Sequence, residues 1–139
     1  MKVCFEEFVI CDDRESIQID RCYEMLSNTY WAKNRSKEAI KISIENSLCF
    51  GVYKDDIQIG FARCVTDYAV LYYLCDVVID DKYRGHGIGK ALVKSITEHK
   101  LLAPLRGILD TSDAHGLYEK FGFRISQGMN MSKPRPDST

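Results

Sequence analysis

The segment Asp80-Asp81-Lys82-Tyr83-Arg84-Gly85-His86-Gly87-Ile88-Gly89-Lys90 is the feature that most constrains what this chain can become. A nearly continuous apolar run, Tyr72 to Ile79, leads into it. A run leaves it in which Ile88, Leu92 and Ile96 recur every four residues while Lys90, Lys94 and Glu98 take the other side. The spacing predicts a buried central strand, a turn, and an amphipathic helix to about His99. Glycine has no Cβ to screen the main chain, and a helix start gathers unpaired N–H groups at the positive end of its dipole. Such a turn holds an anion, with phosphate the best fit. A strand-to-helix connection whose glycines only relieve strain would account for one glycine. It accounts poorly for three at i, i+2 and i+4, with Arg84 in front and Lys90 behind.

Two phosphate motifs fail. A Walker loop needs G-x-x-x-x-G-K-[ST], but around Gly89-Lys90 its first position is Arg84 and its last is Ala91. A dinucleotide fingerprint begun at Gly85 would put its third glycine at Lys90, and the turn lies deep in the chain rather than after an opening strand.

The rest of the chain reads as short alternating elements. Phe5 to Cys11 predicts a strand, Asp20 to Leu26 a helix, and Tyr30 to Arg35 a loop with two aromatics beside two cations. Ser36 is placed to cap a helix through Asn46. Leu48 to Tyr53 and Ile57 to Val65 predict a hairpin through Lys54-Asp55-Asp56. Gly107 to Asp110 predicts a short strand, Asp113 to Lys120 a short helix closed by Gly122, and Phe123 the start of a last strand. This order implies a mixed α/β (α+β) domain with helices on both faces of the sheet. One domain over residues 1–139 fits the length, with a flexible tail over residues 131–139.

The pattern [RQ]-x-x-G-x-G is met by Arg84, Gly87 and Gly89, and here the chain resembles the GNAT superfamily of N-acetyltransferases. Ala114-His115-Gly116-Leu117-Tyr118-Glu119-Lys120-Phe121-Gly122-Phe123 looks like the same family's A-x-x-[LF]-Y-x-K-x-G-F segment. The resemblance runs from Leu48 to Phe123, with the first 47 residues matching only in outline. It implies a mostly antiparallel sheet with splayed central strands, and acetyl-CoA as acyl-donor cosubstrate with no metal. It implies a diphosphate held by Arg84, Gly85, His86, Gly87, Ile88, Gly89 and Lys90, and a pantetheine arm lying along the backbone of Val77, Val78 and Ile79. Many members carry Asn where this chain has Thr111, and some protein-acetylating members carry a general-base Glu where it has Tyr73.

Tyr118 is the catalytic candidate. Periodicity alone makes it a core aromatic of a short helix; the segment around it makes it the general acid for a departing thiolate. Asp76, Asp67, His86 and His115 are the candidate proton acceptors for the incoming amine. Strand alternation puts Asp76 opposite Tyr73, Cys75 and Val77. Tyr30, Trp31, Phe61, Arg63, Tyr68 and Tyr72 are the candidate walls of an acceptor cavity. No cysteine is flanked by His or Asp as an activated nucleophile, so direct transfer in a ternary complex is expected, with a strand N–H as oxyanion donor.

Composition narrows the partners. Nineteen basic against twenty acidic residues, net charge -1, argue against a surface built for nucleic acid. The longest uncharged apolar stretch, Tyr68 to Cys75, falls far short of the ~20 residues that cross a bilayer. Acidic residues Glu6, Glu7, Asp12 and Asp13 near the start argue against a secretory leader, so the expected address is cytoplasmic. The six cysteines form no C-x-x-C pair and no metal-ligand spacing. The expected activity is N-acetylation of a small-molecule amine, with a homodimer as the candidate assembly. Acetylation of protein lysines or N-termini and a non-catalytic acyl-CoA sensor are the rival readings.

Overall fold

The computed structural model describes residues 1–136. The chain opens with the hairpin β1 (Lys2–Phe5) and β2 (Phe8–Cys11). One strand was expected over Phe5 to Cys11, but Glu6 takes a φ of 53° and turns the chain between two strands. Next come α1 (Ile19–Ser27) and α2 (Lys37–Glu45), the latter capped by Ser36 Oγ, which accepts from the Ala39 N–H at 3.1 Å. Then follow β3 (Leu48–Lys54), β4 (Ile57–Thr66), β5 (Leu71–Ile79), α3 (Ile88–Thr97), β6 (Arg106–Ile108) and α4 (His115–Glu119).

The six strands lie side by side in chain order, antiparallel throughout except for the parallel pair β5–β6. Helices α1 and α2 bury Cys22, Met25, Leu26, Ile40 and Ile44 against Cys49, Phe61 and Val78 on one face. On the other face α3 sets Ile88, Leu92, Val93 and Ile96 against Phe8, Phe50, Val52, Ala62 and Leu74. The mixed sheet with helices on both faces is therefore the architecture the element order implied.

The end of the chain departs from expectation. After α4 the Phe123 N–H bonds the Tyr118 carbonyl and the Gly122 N–H the Glu119 carbonyl, each at 3.3 Å, with Gly122 at φ 93°. This is the glycine-closed helix end read from the sequence. Among the described residues no strand follows from Phe123. Ser126-Gln127 interrupts the apolar alternation and Gly128, at φ 74°, bends the chain again. The tail expected over residues 131–139 has neither helix nor strand as far as residue 136, and residues 137–139 lie outside the described residues.

Of two register shifts in the sheet, one in β3–β4 at Val52/Tyr53 and one in β4–β5, the second shapes the candidate site. Phe61 pairs with Val78 but Arg63 with Cys75, so β5 carries an extra residue opposite Ala62, and Asp76 within it takes a φ of 56°. A bulge of this kind reverses the alternation beyond it. Tyr72 and Leu74 pack toward α3; past Asp76 it is Val77 and Ile79 that do so, while Val78 turns to α1 and α2. Asp76 thus shares a face with Tyr73 and Cys75, not the opposite one that unbroken alternation had assigned. Its side chain, 2% exposed, accepts from Arg35 Nη1 at 2.8 Å and from Arg63 Nε at 2.9 Å.

Removing one member of a buried ion pair leaves an uncompensated charge. Asp76→Ala should therefore cost about 3–5 kcal/mol of folding stability in urea titration. Asp76→Asn, which tolerates the left-handed backbone and keeps an acceptor, should cost less.

Candidate active site

The glycine turn is built as an open cradle. Gly85 and Gly87 have φ of 84° and 78°, values that favour glycine. A Cβ at Gly85 or Gly89 would meet nothing within 4 Å. The first ladder bond of α3 runs from the Ala91 N–H to the Gly87 carbonyl, so the N–H groups of Ile88, Gly89 and Lys90 precede the ladder. Gly87, as cap, has no side chain to offer them. Arg84, His86 and Lys90 are exposed at the rim, with Arg84 Nε 3.0 Å from Asp81. The loop before the turn is fixed by Asp80, which accepts from the Lys82 N–H at 2.9 Å and pairs with Arg21 at 2.6 Å. Burial raises the Asp80 carboxyl, but the bonds and charges of Arg21 and Lys82 together outweigh it and hold the group below the usual range.

From this cradle a slot runs back along β5. Strand β6 pairs only with Leu71, Tyr72 and Tyr73, leaving Leu74 to Ile79 with no strand neighbour on that side. Val77, Val78 and Ile79 lie in this stretch. A cavity of about 320 Å³ between α1 and the β5–α3 connection, lined by Val78, Ile79, Asp80 and Arg84, adjoins the cradle. A larger one of about 1260 Å³ occupies the other end and is lined by Tyr72, Tyr73, Asp110, Thr111, His115 and Tyr118 among others. Across the slot, Tyr30 Oη lies 2.5 Å from Ser112 Oγ and so ties the α1–α2 loop to the β6–α4 loop.

Tyr118 is 9% exposed on the wall of the large cavity, its ring edge-on to Phe123 at 6.0 Å. Burial, with the charge of Asp113 adding to it, raises its pKa, so the phenol keeps its proton. Of the four candidate proton acceptors, His115 shares that cavity. Asp76 is engaged by two arginines. Asp67 accepts the N–H groups of Ala69, Val70 and Leu71 in the β4–β5 turn, and those bonds, Val70's foremost, lower its pKa. His86 faces solvent at the glycine turn.

The six candidate wall residues do not come together. Tyr30 and Trp31 are exposed and stack edge-on at 5.1 Å beside the slot. Phe61 is fully buried beneath α1 and α2, and Tyr72 is buried in the α3 cluster on the opposite face. Arg63 is held by Asp76, and Tyr68, at φ 60°, sits exposed on the β4–β5 turn. The alternation that sends Phe61 and Tyr72 to opposite faces is visible only once the strands are paired. Sequence reading passed over Asp110, whose Oδ2 accepts from Tyr73 Oη at 2.7 Å. The signal for it was the acidic end of the Gly107–Asp110 run, read as strand alone.

Comparison with known proteins decides the family. Residues 45–125, more than half the chain, match the family model described as an acetyltransferase (GNAT) domain. The chain belongs to the GNAT acetyltransferase family. A GNAT-family protein of Xanthomonas campestris pv. campestris is 36% identical, with a TM-score of 0.89 over 96% of both chains. A GNAT family acetyltransferase from Elizabethkingia anophelis, solved with acetyl-CoA bound, shares the fold at a TM-score of 0.67 and 19% identity, covering 88% of this chain and 79% of its own. Glucosamine 6-phosphate N-acetyltransferase of Trypanosoma brucei brucei is 43% identical over 54 residues, 37% of each chain. A Gibberella zeae relative is 24% identical over 112 residues, and this chain spans 63% of that protein's length.

Four of the six thiols offer little nucleophilic competition within this GNAT domain. Burial pushes Cys22 and Cys49 up to about 12 and Cys75 up to about 11, and raises Cys64 as well. Thr111, at the position where many members carry Asn, accepts from the Ala114 N–H at 3.0 Å and so braces the start of α4. No group of residues suited to a metal ion occurs among the described residues, and no helix there is long and apolar enough to cross a membrane.

Gly87→Ala forces a side chain onto φ 78° and should cost about 1–2 kcal/mol. It should also reduce the rise in melting temperature given by saturating acetyl-CoA. Asp80 sets the acid limit of the same turn. Because its folded pKa is depressed, its contribution is complete above its unfolded value near 3.8 and disappears as pH falls through the folded one. Stability should therefore decline more steeply below pH ~4 in the wild type than in Asp80→Asn, as followed by thermal melts across pH.

Proposed function

We propose that this protein transfers the acetyl group of acetyl-CoA to a primary amine of a small molecule, by direct attack in a ternary complex. The reading is carried by one arrangement: the uncapped start of α3, open to solvent, lies at one end of the unpartnered stretch of β5, and the Tyr118 cavity lies at the other.

The residues present fit the donor. The N–H groups around Gly85 to Lys90 hold a diphosphate, with Arg84 and Lys90 adding charge. The backbone of Val77, Val78 and Ile79 pairs an extended arm of amides as an added strand would. Acetyl-CoA supplies the thioester carbonyl and a thiol leaving group with a pKa of ~8.5. The bulge at Asp76 turns main-chain groups out of the ladder at mid-strand, where an N–H can face a developing oxyanion. Tyr118, kept protonated by burial, donates from Oη to the departing sulfur and regains its proton from solvent. His115, which lines the same cavity, is the proposed acceptor of the proton the amine sheds. The raised thiols support direct transfer over an acyl-cysteine route. The small-molecule assignment draws on the trypanosomal relative, whose name specifies an amino sugar phosphate.

Acetyl-CoA at ~100 times its Kd should add ~2.7 kcal/mol and raise the melting midpoint by several degrees. Tyr118→Phe should lower kcat about a hundredfold in a thiol-release assay over a panel of amines and peptides while leaving that thermal shift intact. A shift without turnover on any acceptor would favour the non-catalytic reading. Turnover confined to peptides would favour protein acetylation.

A further inference from the structure

The point where β5 and β6 part is occupied by a pair of side chains without a role so far. Tyr73 is in the last paired position, opposite Ile108, and Asp110 follows two residues later. Tyr73 Oη donates to Asp110 Oδ2 at 2.7 Å, and Asn130 Nδ2 lies 3.4 Å from Oδ1. Both Tyr73 and Asp110 line the large cavity together with His115 and Tyr118. Among the described residues two carboxylates line that cavity, Asp110 and Glu119, and Asp110 is held by a phenolic side chain. Arg106 and Arg124 line it too, yet among the described residues neither forms an ion pair with Asp110.

A fixed, exposed carboxylate without an ion-pair partner, lining the same cavity as the proposed acid Tyr118, attracts a cation. Taking the acetyltransferase reading as its basis, we propose that Asp110, held by Tyr73, is a specificity-determining residue that binds the acceptor's ammonium group and selects cationic amines over neutral ones. Burial, and after it the neighbouring Asp110 charge, pushes the Tyr73 phenol up, so it remains a donor to the carboxylate. Tyr73 is thereby a positioning residue.

Asp110→Asn isolates the charge, because an amide oxygen still accepts from Tyr73 Oη. Benzylamine and cadaverine, both cationic at neutral pH, serve as probes, and aniline, uncharged there, as control. Loss of a charge-assisted bond should raise KM for the cationic probes about tenfold or more. By the same argument kcat should stay within about threefold, and KM for aniline and the calorimetric Kd for acetyl-CoA should not move. Asp110→Glu should restore most of the affinity, and Tyr73→Phe, which frees the carboxylate but keeps its charge, should raise KM a few-fold for the cationic probes alone. Wild-type turnover with an unmoved Asp110→Asn KM, a loss confined to kcat, or an equal change with aniline overturns this inference and leaves the acetyltransferase reading standing. A wild-type chain that binds acetyl-CoA but acetylates none of these amines, nor any amine in the wider panel, overturns both.

Discussion

Asp76, nearly without solvent contact, accepts from Arg35 in the α1–α2 loop and from Arg63 in β4 while its own backbone occupies a left-handed conformation. Three separate parts of the chain meet at this carboxylate: the bulged strand, the strand beside it, and the loop that reaches over the slot. A charge in that environment is tolerated only because both guanidiniums are present. In turn it keeps β5 bulged at a point where the strand's residues change from one core to the other. Everything downstream on β5, including the stretch that enters the glycine turn, takes its orientation from that defect.

The slot has two electrostatically distinct ends. At the α3 end, N–H groups and flanking cations collect positive potential without a capping side chain to neutralise it. At the other end a carboxylate and a phenol share one wall with a second phenol, Tyr118. A substrate pair consisting of a polyanionic donor and a cationic acceptor would be sorted by field alone before any close contact formed. The middle, where main chain is left without a strand neighbour, asks only for an extended partner with amide groups.

Much of this was legible in the sequence because it depends on local chemistry. The glycine spacing, the cap at Ser36 and the glycine-closed end of α4 are written in consecutive residues, and each appears where the residues put it. What was not legible depends on pairing. The bulge at Asp76 is invisible to alternation, which assumes one residue per step, and so the faces of Tyr73 and Cys75 relative to Asp76 came out reversed. For the same reason Phe61 and Tyr72 were grouped with Tyr30 and Trp31, although pairing sends them to opposite cores. The Tyr73–Asp110 contact joins residues 37 apart through a parallel pairing of three residues, too short for periodicity to reveal.

The single extra residue in β5 is also separable from the facing of the side chains around it. Val77 and Val78 have nearly interchangeable chemistry, yet one packs toward α3 and the other toward α1 and α2. Deleting Asp76 would set Val77 opposite Ala62 and restore one residue per step, with Val77 and Ile79 still toward α3 and Val78 still toward α1 and α2. A one-codon gap there would thus leave both cores as they are and remove the carboxylate that joins the α1–α2 loop to β4.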